Sequence, residues 1–331
     1  MAFDNDFTRL MKCEYPIIAA PMFLVSNVDM VVESSEAGAI GAVPSLNYRP
    51  AEEFAKALKQ IRERTSKPIC VNIIVNKSNT RQGVDLKSCL DHGVDMFITS
   101  LGNPKEVIKD AHKNGAKVFC DVTNLDHALK VQDLGADGVI AVGTGAGGHA
   151  GPISPLVLIP WLKKELKIPI VAAGGIANGT QMAAALALGA SAVSVGTRFI
   201  ACKEATIDKN YKDAVVSSNP EDIVLTSKVS GTPAAVINTD YVKKMGTELP
   251  WVVKKLKNQK YTKKYVTPLI HLMGMKSLEE AATKATWKTV WSAGQSVGLV
   301  DDVLTCREII DRFVQEYQET LTNMPNNLAS K

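Results

Sequence analysis

The sequence is short of the features that mark several classes of protein. No apolar run approaches the ~20 residues of a membrane-spanning helix. The first residues, Met1-Ala-Phe-Asp-Asn-Asp6, are acidic and have neither the basic nor the apolar region of a secretory signal. A soluble, cytoplasmic protein is therefore expected, with no membrane partner. There is little excess of charge: 38 Lys and Arg stand against 34 Asp and Glu, a net +4. That is too little and too dispersed to indicate nucleic acid. The clusters Lys254-Lys255-Leu-Lys257 and Lys260-Tyr-Thr-Lys263-Lys264 read as a solvated helix face. Cysteine is sparse, at positions 13, 70, 89, 120, 202 and 306, with no C-x-x-C pair and no metal-like spacing with histidine. Reduced thiols and no metal site are expected. Cys70 and Cys120 lie inside apolar runs, where cysteine acts as a small hydrophobe.

What is present is a large supply of core: 46% of the 331 residues are apolar and 22% charged, as in ordinary globular proteins. One rhythm recurs through the first 200 residues, in which a helical segment ends at a glycine and an apolar strand follows. It appears around Gly38, Gly93, Gly115, Gly135 and Gly189. A glycine just past a helix ends it in the left-handed conformation, and a run apolar on both faces suits a buried parallel strand. Two further strands begin at proline, Pro68 and Pro169, where the missing N–H does no harm. The pattern predicts eight strands near 17–22, 39–44, 69–75, 96–100, 117–122, 138–142, 169–173 and 192–196. Eight evenly spaced βα units predict an α/β fold, a (β/α)8 TIM barrel, with a doubly wound open sheet as the alternative. Residues 1–205 would form the barrel core and cofactor site. Residues 206–331 would form an irregular insertion around 221–240, then a mainly helical region packing over the barrel mouth. That region includes an Ala/Lys/Glu-rich stretch at 277–288 and a closing amphipathic helix at about 303–322.

In such a barrel the site groups sit on loops at the C-terminal ends of the strands, and phosphate often lies after strands seven and eight. The sixth strand here runs into Gly143-Thr-Gly-Ala-Gly-Gly-His149-Ala-Gly-Pro152, where five glycines and one histidine could hold a flat ligand against a base. The seventh ends Ala173-Gly174-Gly175 and the eighth Gly196-Thr197. Main-chain N–H groups of glycines at helix starts suit an anion; tight helix–strand packing would explain the same glycines. Other strand ends supply Pro21 and Met22, Asn72 and Asp121. His92, His112 and His127 fall on helices or their ends and read as surface or packing residues; His271 is uninformative. The small residues of Val290-Trp-Ser-Ala-Gly294-Gln-Ser-Val-Gly298 suit either a loop close to a cofactor or a helix crossing.

Taken together, Ala20-Pro-Met22, Asn72, Ala146-Gly-Gly-His149, Ala173-Gly-Gly175, Gly196-Thr197-Arg-Phe, Trp291-Ser-Ala-Gly-Gln295 and Gly298-Leu-Val-Asp-Asp302 resemble the FMN-dependent nitronate monooxygenase (2-nitropropane dioxygenase) family over about residues 10–310. Its relatives include an FMN-dependent enoyl-acyl-carrier-protein reductase and an NAD(P)H:quinone reductase. The resemblance implies an FMN cofactor. Pro21, Met22 and Phe23 would border the isoalloxazine, Asn72 would bond its polar edge, and Asp121 would lie nearby. Gly147 and Gly148 would pass close to the cofactor. Gly174, Gly175, Gly196 and Thr197 would hold the phosphate, Ala173 and Gln295 would also belong to the cofactor site, and His149 would be the catalytic base. It further implies oxidation of alkyl nitronates (propionate 3-nitronate among them) or nitroalkanes with O2 to a carbonyl compound and nitrite, with a homodimer as candidate assembly. The alternative within the resemblance is an NAD(P)H-dependent reductase of a quinone or enoyl thioester. Two positions depart from the commoner pattern: Gly145 stands where many relatives carry an acidic residue, and Asp121 where the quinone reductase carries lysine. An IMP-dehydrogenase-like barrel would need a cysteine on the loop after strand six, and 143–152 has none.

Overall fold

The structure, a computed structural model, describes residues 3–228, 232–248 and 290–328. The basic clusters at 254–264, His271 and the stretch at 277–288 lie outside the described residues. After a short helix α1 (Asp6–Met11), eight parallel strands close a barrel: β1 (Ile17–Ala19), β2 (Ile40–Pro44), β3 (Ile69–Ile74), β4 (Met96–Ser100), β5 (Lys117–Val122), β6 (Gly138–Val142), β7 (Ile170–Ala173) and β8 (Ala192–Val195). The seam is β1, with Ile18 opposite Ile40 on one side and Ser194 on the other. Between the strands run α2 (Val28–Glu36), α3 (Ala51–Arg64), α4 (Gln82–Asp91), α5 (Lys105–Lys113), α6 (Leu125–Asp133), α7 (Pro155–Glu165) and α8 (Gly179–Ala187). The α/β barrel expected from the repeating pattern is therefore present, and each strand lies at its expected place.

Local chemistry sets these elements. Asn27, Asn124 and Asn178 cap α2, α6 and α8, their side chains accepting a backbone N–H of the first turn. The five glycines of the repeat all have positive φ, from +63° to +105°, as helix-terminating residues require. Inside the barrel Ile18, Ile40, Cys70, Met96, Ile98, Phe119 and Ile140 form one buried cluster. Helix α1 closes its lower end: Phe7 packs edge-on against Phe119, with centroids 5.7 Å apart. Gly138 is required beneath that ring, since a Cβ there would come within 2.2 Å of it.

Beyond β8 the chain forms α9 (Thr197–Ile200) and α10 (Lys209–Ser217). A two-stranded antiparallel hairpin follows, β9 (Ile223–Thr226) with β10 (Ala234–Ile237), then α11 (Asp240–Met245). Within 221–240, where an irregular excursion is expected, the described residues thus hold an antiparallel strand pair, which bonds to the loop after β6. The last helix, α12 (Cys306–Leu328), packs against α8 and α2. It buries Cys306, Ile309, Ile310 and Phe313 and completes the outer ring on the barrel's flank. Gly179 permits this contact, because a Cβ there would lie 2.1 Å from the Phe313 carbonyl oxygen. Its N–H donates to Glu316 at 2.8 Å. Strand β1 is shorter than its apolar run because Pro21 lacks an N–H for the ladder, and the chain turns where Met22 N–H donates to Ser26 Oγ at 2.8 Å. No helix among the described residues is long and apolar enough to cross a membrane.

Candidate functional site

The C-terminal ends of the strands open into a cavity of about 1700 Å³, well above the roughly 300–1,000 Å³ of most ligand pockets. It is lined by Pro21, Met22, Phe23, Asn72, Asp121, Gly147, Gly148, His149, Ala173, Gly174, Gly175, Gly196 and Thr197. One surface thus collects residues from six strand ends that are distant in sequence. Gln295 is not part of it: its side chain is exposed, and its backbone N–H donates to the Gly145 carbonyl at 3.1 Å. Its place is as a support for the loop behind the cavity wall.

Three neighbouring strands carry a polar chain across one wall. Asn72 on β3 uses both protons of its Nδ2, donating to the Ile98 carbonyl at 3.1 Å and to Ser100 Oγ at 2.8 Å. The carbonyl partner fixes the orientation of the amide, so the group that Asn72 has left to offer is its acceptor oxygen. Ser100, the last residue of β4, donates in turn to Asp121 Oδ2 at 2.5 Å. Asp121 is exposed to the cavity rather than to bulk solvent, and the surrounding protein penalises its charge. Desolvation pushes its pKa up to about 6, while the bond from Ser100 works the other way. Ser100 is a site residue that sequence reasoning missed. Its one signal was a hydroxyl ending an apolar strand.

The opposite wall is the glycine loop. Its ends are clamped by Gly143 N–H to the Ala173 carbonyl and Thr144 N–H to the Ile153 carbonyl, both 2.9 Å. Its middle is held by three other segments. The Gly145 carbonyl accepts from Gly175 and Gln295, and Gly148 exchanges both backbone bonds with Ala235 of β10, at 3.0 and 2.7 Å. Gly147 faces Ala293 and Gly294 so closely that a Cβ would sit 2.9 Å from their backbone. Close backbone approach is what demands this glycine. At Gly148 (φ +66°) a Cβ would meet nothing within 4 Å. The loop is therefore not a loose turn, and it delivers His149 to the cavity on a fixed frame.

At the ends of β7 and β8, where an anion cradle is expected, one N–H is already in use. Gly174 has φ +107°, and a Cβ there would lie 3.0 Å from Ala146 N. Thr197, buried at the start of α9, accepts from Gly294 N–H at 2.9 Å and keeps its own O–H to donate. Gly175, expected to give its N–H to an anion, donates it to Gly145 at 3.2 Å instead, because the β6 and β7 loops pack together there.

The aromatic pair Tyr211 and Trp291, stacked with centroids 5.4 Å apart and planes 8° from parallel, forms another part of the wall. Tyr211 Oη donates to the Ser292 carbonyl at 2.6 Å, and burial raises the phenol's pKa. Tyr211 is a second lining residue the sequence did not reveal. His92 and His112 have the packing roles expected: the His92 ring bonds the Ser88 carbonyl at 2.8 Å and the His112 ring bonds Asp137 at 2.7 Å. His127 differs. It lies in the first turn of α6, directly beyond β5, and so lines the cavity.

Comparison with known proteins agrees with this architecture. The family model for nitronate monooxygenase matches residues 5–85 and 75–316. The chain is 29% identical to a (3aS,4S,5R,7aS)-5-hydroxy-7a-methyl-1-oxo-octahydro-1H-indene-4-carboxyl-CoA dehydrogenase of Rhodococcus jostii, over 93% of this chain and 94% of that protein. Its fold superimposes on FabK from Thermotoga maritima with a TM-score of 0.84 at 30% identity, covering 98% and 100% of the two chains. It superimposes on a nitroalkane oxidase from Streptomyces ansochromogenes with 0.79 at 26% identity, covering 96% and 99%. From the matched motifs, the barrel and its cavity, the chain belongs to the nitronate monooxygenase family of oxidoreductases.

Proposed function

We propose that the protein binds FMN at the barrel mouth and oxidises alkyl nitronates, propionate 3-nitronate among them, or nitroalkanes with O2. The products would be a carbonyl compound and nitrite. The observation that carries the reading is the rigid presentation of His149 across a cavity that also holds the Asn72–Ser100–Asp121 chain and the Gly174–Gly196–Thr197 cradle.

The residues fit such a cofactor. Gly174 and Gly196 bring backbone to the cavity without side chains, and Thr197 offers a hydroxyl donor, as a phosphate would need. The Asn72 oxygen is an acceptor for a ring N–H. Met22 and Phe23 supply apolar surface, and the Arg49 guanidinium lies over the Phe23 ring at 5.4 Å from its centroid. When bound, the flavin supplies the redox chemistry, and the protein supplies position and field. His149 would take the acidic C–H proton beside a nitro group, the task of a general base. With a substrate already in the nitronate form it would orient the anion. Replacing His149 with alanine should leave FMN bound and remove nitroalkane turnover; full turnover in that variant would reject the role.

A second reading is favoured by the cavity's size. The space runs past Leu101–Pro104 and along α6 past His127, Lys130 and Leu134, more room than a small nitronate requires. Together with relatives named for a CoA-ester dehydrogenase and FabK, this supports a nicotinamide-dependent reductase of a quinone or an enoyl thioester. Mixing the protein with NADPH in the absence of oxygen separates the two: rapid loss of flavin colour would favour the reductase.

A further inference from the structure

Away from the cavity, two thiols meet in the core where the chain leaves α9 and where it enters α12. The Sγ atoms of Cys202 and Cys306 and a carboxylate oxygen of Glu204 all lie within 4.8 Å of one another, and both cysteines are fully buried. The two segments are stitched together on either side. Lys203 N–H donates to the Leu304 carbonyl at 2.7 Å, and Cys306 N–H reaches both Glu204 oxygens at 3.0 Å. A fourth group points to a ligand independently. Ser34 of α2 is fully buried, and its Oγ has no hydrogen-bond partner among the described residues. It lies beside the Cys306 thiol. A buried hydroxyl left unpaired costs stability, and this one adjoins one of the two thiols of the cluster.

Two thiolates, one carboxylate and one neutral oxygen make a donor set that suits zinc. We propose that Cys202, Cys306 and Glu204 bind a zinc ion, with Ser34 or a water held by it as the fourth ligand. The site would join the segment after β8 to the last helix. Binding releases the two thiol protons and changes no oxidation state. The three negative charges then exceed the ion's two. Lys212, whose ammonium donates to the Cys202 carbonyl at 2.6 Å, offsets the excess. So does the positive end of α12, where Cys306 is the first residue.

The test is metal analysis of the tag-free, flavin-loaded protein made in zinc-supplemented medium, with the Cys202→Ser, Cys306→Ser and Glu204→Gln variants alongside. About one zinc per chain is expected for the unaltered protein, with zinc lost in both serine variants and weakened in Glu204→Gln, and with flavin content unchanged. Cadmium in place of zinc should give a thiolate-to-metal absorption band. Because a serine variant could fail to fold, the unaltered chain is also melted with and without a chelator. The expected result is a fall in Tm of several degrees that added zinc reverses. Zinc-free protein that takes up none on dialysis against zinc would overturn the proposal. So would equal zinc in the serine variants, an unmoved Tm, or a Cys202–Cys306 disulfide found by mass spectrometry.

Discussion

Under the proposed function His149 is the base and Asp121 a neighbour of the cofactor, and they make different predictions. Loss of a general base slows a reaction by roughly 10²–10⁴-fold. His149→Ala is therefore expected to lower kcat on a nitroalkane by at least about 100-fold, with a smaller effect on a preformed nitronate that needs no C–H proton removed. Equal losses on the two substrates, measured by nitrite release, would contradict the role as base. Asp121 predicts a pH effect on stability. Its pKa in the folded protein, about 6, lies above the ordinary carboxylate value, so the folded state holds the proton more tightly than the unfolded state. The stability this gives is lost as pH rises from about 4 through 6. Asp121→Asn removes the penalty of ionisation, so its Tm relative to the unaltered protein should be higher at pH 8 than at pH 4.5. A difference that does not vary with pH would show that the carboxylate is not desolvated. Ser100→Ala removes the bond that favours the ionised form, and should move the midpoint of that pH dependence upward.

At the scale of elements, the glycine loop works because three segments converge on it. A Cβ at Gly294 would lie 2.2 Å from the Gly145 carbonyl oxygen. Gly294→Ala must therefore push the 293–295 segment away from the loop and weaken the bond from Gly294 N–H to Thr197. The expected outcome is a native circular dichroism spectrum and a Tm lowered by a few degrees. FMN affinity should fall at least tenfold, the cost typical of forced overpacking near a site being about 1–3 kcal/mol. Unchanged FMN affinity by fluorescence titration would contradict the coupling of cradle and loop. The strands and the loop ends were legible in the sequence because each depends on local signals: an apolar run, a glycine after a helix, a proline at a strand start. Ser100 and Tyr211 were not. Each reaches the cavity only through closure of the barrel or the return of a distant segment, and a lone hydroxyl or ring carries no periodic signature. The side-chain direction of Gln295 was not legible for the same reason. Its motif identifies the segment that touches the loop, but not which of its residues face the cavity. His127 shows the converse, since the turn after β5 swings a helix-borne residue into the wall.

At the scale of the whole molecule, the barrel depends on its last helix. Helix α12 lies between α8 and α2 and sends Phe313 into the core. Phe313→Ala is expected to cost about 3–5 kcal/mol, read from the midpoint of urea unfolding; a cost under about 1 kcal/mol would mean that the helix is not part of the cooperative unit. The account as a whole stands on a flavin held at the mouth of this barrel and reached by a nitronate beside His149. The most direct check is the visible absorbance of the FMN-loaded protein as an alkyl nitronate is added without oxygen. The flavin bands should be present and should fade with the nitronate while persisting with NADPH. A protein that takes up no FMN, or whose flavin responds to NADPH and not to the nitronate, would contradict it.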